Sequence, residues 1–165
     1  HLSAIGETLG LTREESFALL LPIPYVAVAA NFFFGWLSDN VRMKWILIAM
    51  LAFTALGSYG LMFAGGPTGR ALFAIGIGAS SGIFNVLLTS AFPRYFGRSH
   101  LGAISGRNMA VMVFASAIGP YLYSVFFEAR GDFRLVLQLS TALPLAVLVG
   151  AFFVRNPQET YATRP

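Results

Sequence analysis

The chain has 165 residues, 56% of them hydrophobic and only 11% charged, against roughly 25% charged in a soluble domain. That balance excludes an ordinary water-soluble globule and a disordered chain, because a fold of this length cannot hide so much apolar surface. Lys and Arg number 11 against 7 Asp and Glu, a net +4, but the surplus sits between long apolar runs and so points to a membrane rather than to nucleic acid.

Five runs carry no Asp, Glu, Lys or Arg: about 17–37, 45–64, 71–93, 108–127 and 135–154. About 20 apolar residues cross a hydrocarbon core of about 30 Å as a helix. Backbone groups in lipid must be satisfied internally, so the expected fold is an all-α membrane protein with five transmembrane helices. The alternating segments of about 10 residues that a porin-like barrel needs are not seen.

The first run contains Pro22, Pro24, Tyr25, Ala27, Asn31 and Gly35. Two prolines so close remove two donors and loosen the outer end of the helix. Pro24, Ala27, Asn31 and Gly35 fall near one face. Asn31 reads either as lining a solute path or as a helix contact, and Tyr25 either as lining the path or as an interface anchor. The second run offers only Thr54 and Ser58 as polar groups, which the backbone can satisfy. In the third run, Gly78, Ser81 or Gly82, Asn85 and Thr89 recur at helical spacing and share a stripe. That stripe is either a cavity-lining face, through Ser81 and Asn85, or a packing seam, through the small pair Gly78 and Gly82. The fourth run has Asn108, Met112 and Ser116 on one face, with Gly119-Pro120 as a packing or bending point. Gln138, Ser140 and Thr141 are the polar groups of the fifth.

Short loops force neighbouring helices antiparallel, and five spans put the termini on opposite sides. Segments 38–44 and 94–107 and the tail from Arg155 hold Arg42, Lys44, Arg94, Arg98, Arg107, Arg155 and Arg164. The other side holds Arg13, Arg70, Arg130 and Arg134. The richer side is expected to be cytoplasmic, with the C-terminus inside a cell membrane, plasma or inner. Most of the acids, including Glu7, Glu14, Glu15, Glu128 and Asp132, lie on the outer side. Arg94, Arg98, His100 and Arg107 read as contacts to anionic headgroups.

Cysteine is absent and His1 and His100 are the only histidines. No disulfide or Cys-based zinc site is therefore possible, and no metal or cofactor is expected. Asp39 and His100 lie on separate loops without a third partner, so an enzyme is not expected. There is no signal-peptide pattern. The chain begins with His, and an odd bundle with an outer N-terminus is a poor stand-alone unit, so the protein is expected to start upstream.

The segment Gly35-Trp36-Leu37-Ser38-Asp39-Asn40-Val41-Arg42-Met43-Lys44 resembles the loop pattern G-x-L-[AS]-D-R-x-G-R-[KR] of the major facilitator superfamily. Gly35, Leu37, Ser38, Asp39 and Lys44 match. Asn40, Arg42 and Met43 depart from it, as in the weaker copy after helix 8. Gly10-Leu11-Thr12-Arg13-Glu14-Glu15 is similar to the outer loop before helix 8. The segment 92–102 and Ala117-Ile118-Gly119-Pro120 resemble the oxalate/formate antiporter and monocarboxylate transporter branch.

The resemblance implies helices 8 to 12, part of the C-terminal six-helix bundle of a twelve-helix fold, with the N-terminal bundle and helix 7 absent. It implies alternating-access transport of a small solute, a small organic anion such as a mono- or dicarboxylate, by antiport or proton symport. Helices 8, 10 and 11 would line the cavity, with Tyr25, Asn31, Ser81, Asn85 and Ser116 as candidate contacts, and helices 9 and 12 would sit outside. Gly35, Asp39, Arg42 and Lys44 would form a cytoplasmic gating loop, the alternative being a solvated loop with weak surface pairs. The expected partners are the solute, the bilayer and the upstream helices of the same transporter. A membrane-embedded sensor or structural subunit without transport is the other reading.

Overall fold

The computed structural model describes Gly6 and residues 10–96, 99–130 and 134–153. Glu7, Arg98, Asp132, Val154, Arg155 and Arg164, which entered the span and charge assignments above, lie outside the described residues. The described residues form helices and turns: α1 (Arg13–Ala18), α2 (Pro22–Asn40), α3 (Met43–Met62), α4 (Pro67–Phe96), α5 (Leu101–Arg130) and α6 (Arg134–Phe153). Five helical runs are long and apolar enough to cross a membrane, the first formed by α1 and α2 together.

The outer entry is built from local chemistry. Thr12 caps α1: its Oγ1 accepts from Glu15 N at 3.2 Å, and Glu15 Oε2 accepts from Thr12 N at 2.9 Å. Two of the orphan donors at a helix start are thereby satisfied. Leu11 and Leu19, on either side of α1, bury against Ala64 and Phe73. Replacing Thr12 by Ala should cost about 1 kcal/mol of local stability. It should speed hydrogen exchange at the α1 amides; unchanged exchange would mean that the leucine packing alone holds the turn.

Helix α1 stops at a turn over 19–21, and Pro22 opens α2. Pro22 and Pro24 fall within the first turn of α2, where backbone donors have no intrahelical partner. The prolines expected to loosen this helix therefore start it, without removing any helical bond.

Helices of 19 or 20 residues, such as α2 and α3, span about 30 Å. Helices α4 and α5 have 30 residues each, about 45 Å. They outrun the uncharged segments, and Arg70 and Arg94 lie inside α4 near its two ends. Pro93, Pro120 and Pro144 sit inside continuous helices.

Helix α4 is the hub, packed between α2 and α3, and α6 lies against α3. Glycines set these approaches. A Cβ on Gly57 would stand 2.8 Å from Ile77 N, and one on Gly76 would strike the Gly57 backbone and Phe53 O. On the other side of α4, a Cβ on Gly78 would stand 2.7 Å from Val26 Cβ and 2.9 Å from Ile23 O. One on Gly82 would strike Ala27 O. Small residues let backbones meet where lipid offers no hydrophobic drive to associate. The half nearer the α2–α3 turn is filled by Met43, Ile46 and Ile83. Helix α5 makes few contacts; it is tied to α6 by a 2.7 Å hydroxyl bond between Tyr123 and Ser140.

Candidate functional site

The α2–α4 seam carries Asn31 at its edge. Because Gly82 lacks a side chain, the α2 backbone approaches closely enough for Asn31 Nδ2 to donate to Gly82 O at 3.3 Å. One helical step along α4, Asn85 Nδ2 donates to Ser81 O at 3.1 Å. The two carboxamides, 54 positions apart in sequence, line one cleft of about 230 Å³ with Ala27, Val28 and Phe32. The face running through Ala27, Asn31 and Gly35 is thus the face of α2 that meets α4.

The other candidate contacts are dispersed. Ser81 is exposed on α4 and donates to Ile77 O at 2.8 Å. Tyr25 is 80% exposed near the outer end of α2 and does not line the cleft. Ser116 is exposed on α5 and donates to Val113 O at 2.8 Å. Hydroxyls bonded to their own helix in this way need no partner across the bundle. Among the described residues, nothing comes within 4 Å of a Cβ built on Gly119, beside Pro120. Gly78 and Gly82 sit at the α2 crossing, while Pro24 is exposed in the first turn of α2.

At the end of the bundle where α2 meets α3 the contacts differ from those read along the loop. Asp39 pairs with Arg94, Oδ1 to Nη2 at 3.0 Å, and Arg94 Nη1 donates to Ser38 O at 2.6 Å. The guanidinium therefore clasps the C-terminal end of α2 from the C-terminal end of α4. The assignment of Arg94 to headgroups is corrected accordingly. It missed the pairing because Asp39 and Arg94 are 55 positions apart. The available signal was that both lie at helix ends on the same membrane side. Lys44 donates to Phe152 O at 2.8 Å, tying the start of α3 to the end of α6. Arg42 is the N-cap residue of α3. The Ser38 hydroxyl donates to Gly35 O at 2.7 Å, and a Cβ on Gly35 would sit 4.0 Å from Val86 Cγ2.

A second ion pair closes the opposite end. Glu15 Oε1 meets Arg70 Nη2 at 3.1 Å, and Arg70 Nε donates to Ala64 O at 3.0 Å. An apolar cleft of about 420 Å³ lies beside it, walled by α1, α2 and α4. The α1–α2 run and α4 are thus joined by ion pairs at both ends, with the glycine seam and the carboxamide cleft between them.

Neither a comparison with curated proteins nor one with solved structures found a match. A family model for the Major Facilitator Superfamily matches residues 2–165. With its membrane-spanning helices, the chain belongs to the major facilitator superfamily, a family of secondary transporters of small solutes.

Proposed function

We propose that α2 to α6 are helices 8 to 12 of a twelve-helix transporter and that the Asn31–Asn85 cleft touches the solute. The observation that carries this is the convergence of two uncharged amides, from two separate membrane helices, on one cleft with apolar walls. A few polar groups on an apolar background are what a small-molecule site needs for orientation. Transport would proceed by alternating access, two bundles rocking around a midplane site. Ser81 joins the path beside the cleft on α4, and Ser116 and Tyr25 join it away from the cleft. Gly35, Asp39, Arg42 and Lys44, with Arg94, form a cytoplasmic latch.

The likeness of segments 92–102 and 117–120 supports assignment to the oxalate/formate and monocarboxylate branch, hence a small organic anion, moved by antiport or proton symport. The uncharged runs contain no Lys or Arg, so a cation for the carboxylate would have to come from other helices of the transporter. The excess of basic residues on the loops at the Asp39 end supports a cytoplasmic C-terminus in a plasma or inner membrane.

Asn85→Ala should raise the half-saturating concentration for uptake about tenfold, the effect of losing one well-placed hydrogen bond in an apolar setting. Uptake kinetics in proteoliposomes check this. Unchanged kinetics with normal yield would remove Asn85 from the path. Solute binding without flux in the wild-type protein would favour a sensor instead.

A further inference from the structure

Each carboxamide of the cleft is held by a backbone carbonyl of α4, Gly82 O for Asn31 and Ser81 O for Asn85. A carbonyl oxygen only accepts, so it selects the NH2 end of each amide and leaves Oδ1 as the opposite end. Among the described residues neither Oδ1 receives a donor. The nearby hydroxyls have committed their single protons: Ser81 Oγ to Ile77 O at 2.8 Å and Thr89 Oγ1 to Asn85 O at 3.0 Å. Ala27, Val28 and Phe32 complete the lining with apolar side chains. What remains for a ligand is two lone pairs on each Oδ1 against one N–H on each amide.

We infer that this subsite takes a hydrogen-bond donor of the solute, a hydroxyl or a protonated amine, and not its carboxylate. A carboxylate only accepts. Here it would find one N–H per amide and would face two amide oxygens. A hydroxyl or ammonium finds acceptors in excess, against apolar walls. The inference rests on the reading that the cleft touches solute. If the solute is an organic anion, it is one that also carries a hydroxyl or an amine, with its carboxylate held elsewhere.

The test uses the full-length protein in proteoliposomes and three probes that differ only at carbon 2: lactate, alanine and propionate. Each is assayed for binding by ligand-induced thermal shift and for inhibition of counterflow. Lactate or alanine should bind at least about tenfold better than propionate, since a site built around hydrogen-bonding atoms rejects the analogue lacking the group. Whether lactate or alanine is favoured tells hydroxyl from amine. The preference should vanish in Asn85→Leu. It should survive in the near-isosteric Asn85→Asp, which keeps an acceptor.

Propionate binding as well as or better than both others, while Asn85→Leu still weakens all three probes, overturns the donor assignment and leaves the cleft as a contact. No measurable binding of any probe to the wild-type protein also overturns it. If both variants fold with wild-type unfolding midpoints and leave all three affinities unchanged, the cleft reading itself fails and takes this inference with it.

Discussion

Gly76→Val is expected to lower the thermal unfolding midpoint by roughly 6–12 °C, corresponding to about 3 kcal/mol in a chain of this size. Gly76 is where α4 touches α3. A Cβ there would strike Gly57 N, Gly57 Cα and Phe53 O, all backbone atoms. No rotamer change relieves such a clash, so the two helices must move apart. Gly57 and Gly60 of α3 face α4 in the same way, against Ile77 and against Leu72 and Phe73. A small shift therefore opens the whole seam, and with it the contacts of Ala64 and Phe73 in the outer core. Gly106→Ala provides the contrast, because among the described residues nothing lies within 4 Å of a Cβ built at Gly106. That variant should be neutral, or gain up to about 1 kcal/mol from helix propensity. Thermal unfolding followed by tryptophan fluorescence in detergent reads both. Equal midpoints for Gly76→Val and the wild type would show that α3 and α4 separate freely, and would sink the close-crossing account.

Arg94→Ala is expected to change transport rates about 5- to 30-fold while leaving most of the protein folded. The guanidinium bonds the Asp39 carboxylate at 3.0 Å and Ser38 O at 2.6 Å. The carbonyl belongs to the last turn of α2, where backbone acceptors lack intrahelical partners and a cation is favoured. The ion pair alone is modest. Its side chains are 40% and 75% exposed, and such pairs contribute about 0–1 kcal/mol. The charged bond to the carbonyl brings the total to about 1–2 kcal/mol. If the clasp exists in one transport state and not the other, that energy shifts the balance between them about 5- to 30-fold.

Two variants apportion the effect. Asp39→Asn removes only the ion pair and should shift rates less than Arg94→Ala. Arg94→Lys has a single ammonium where a planar fork spans two acceptors, so it should fall between. High salt should narrow the difference between wild type and Asp39→Asn. Initial rates of influx and efflux in proteoliposomes are the measurement. Wild-type rates in both directions for Arg94→Ala would reduce the clasp to a surface contact without a role in the cycle.

The helical spans were legible in the amino acids because lipid leaves the chain no choice. A run of about 20 residues without charge must satisfy its own backbone, and only a helix does so locally. The breaks between the spans followed from the charged loops. Less legible was the helix start, since the capping box at Thr12 and Glu15 opens a six-residue α1 that a turn over 19–21 separates from α2. The small residues of the third run were read as one stripe with two meanings, and the fold divides it between them. Gly78 and Gly82 make the seam to α2, while Ser81 and Asn85 remain exposed beside it. Gly76, which carries the α3 crossing, stands outside that stripe and was missed.

Periodicity assigns a residue to a face of its own helix, but it says nothing of which neighbour that face meets. That rotational fact belongs to the packed bundle. It decided that Asn31 and Asn85 share a cleft, that Ser116 and Tyr25 lie away from it, and that Asp39 finds Arg94 rather than a residue of its own loop. Composition and charge-free length by themselves determined a helical membrane protein, because the solvent imposes that structure segment by segment. Only the tertiary structure decided which polar atoms are consumed in holding helices together and which are left facing the cleft, because both draw on the same residue types at the same spacing.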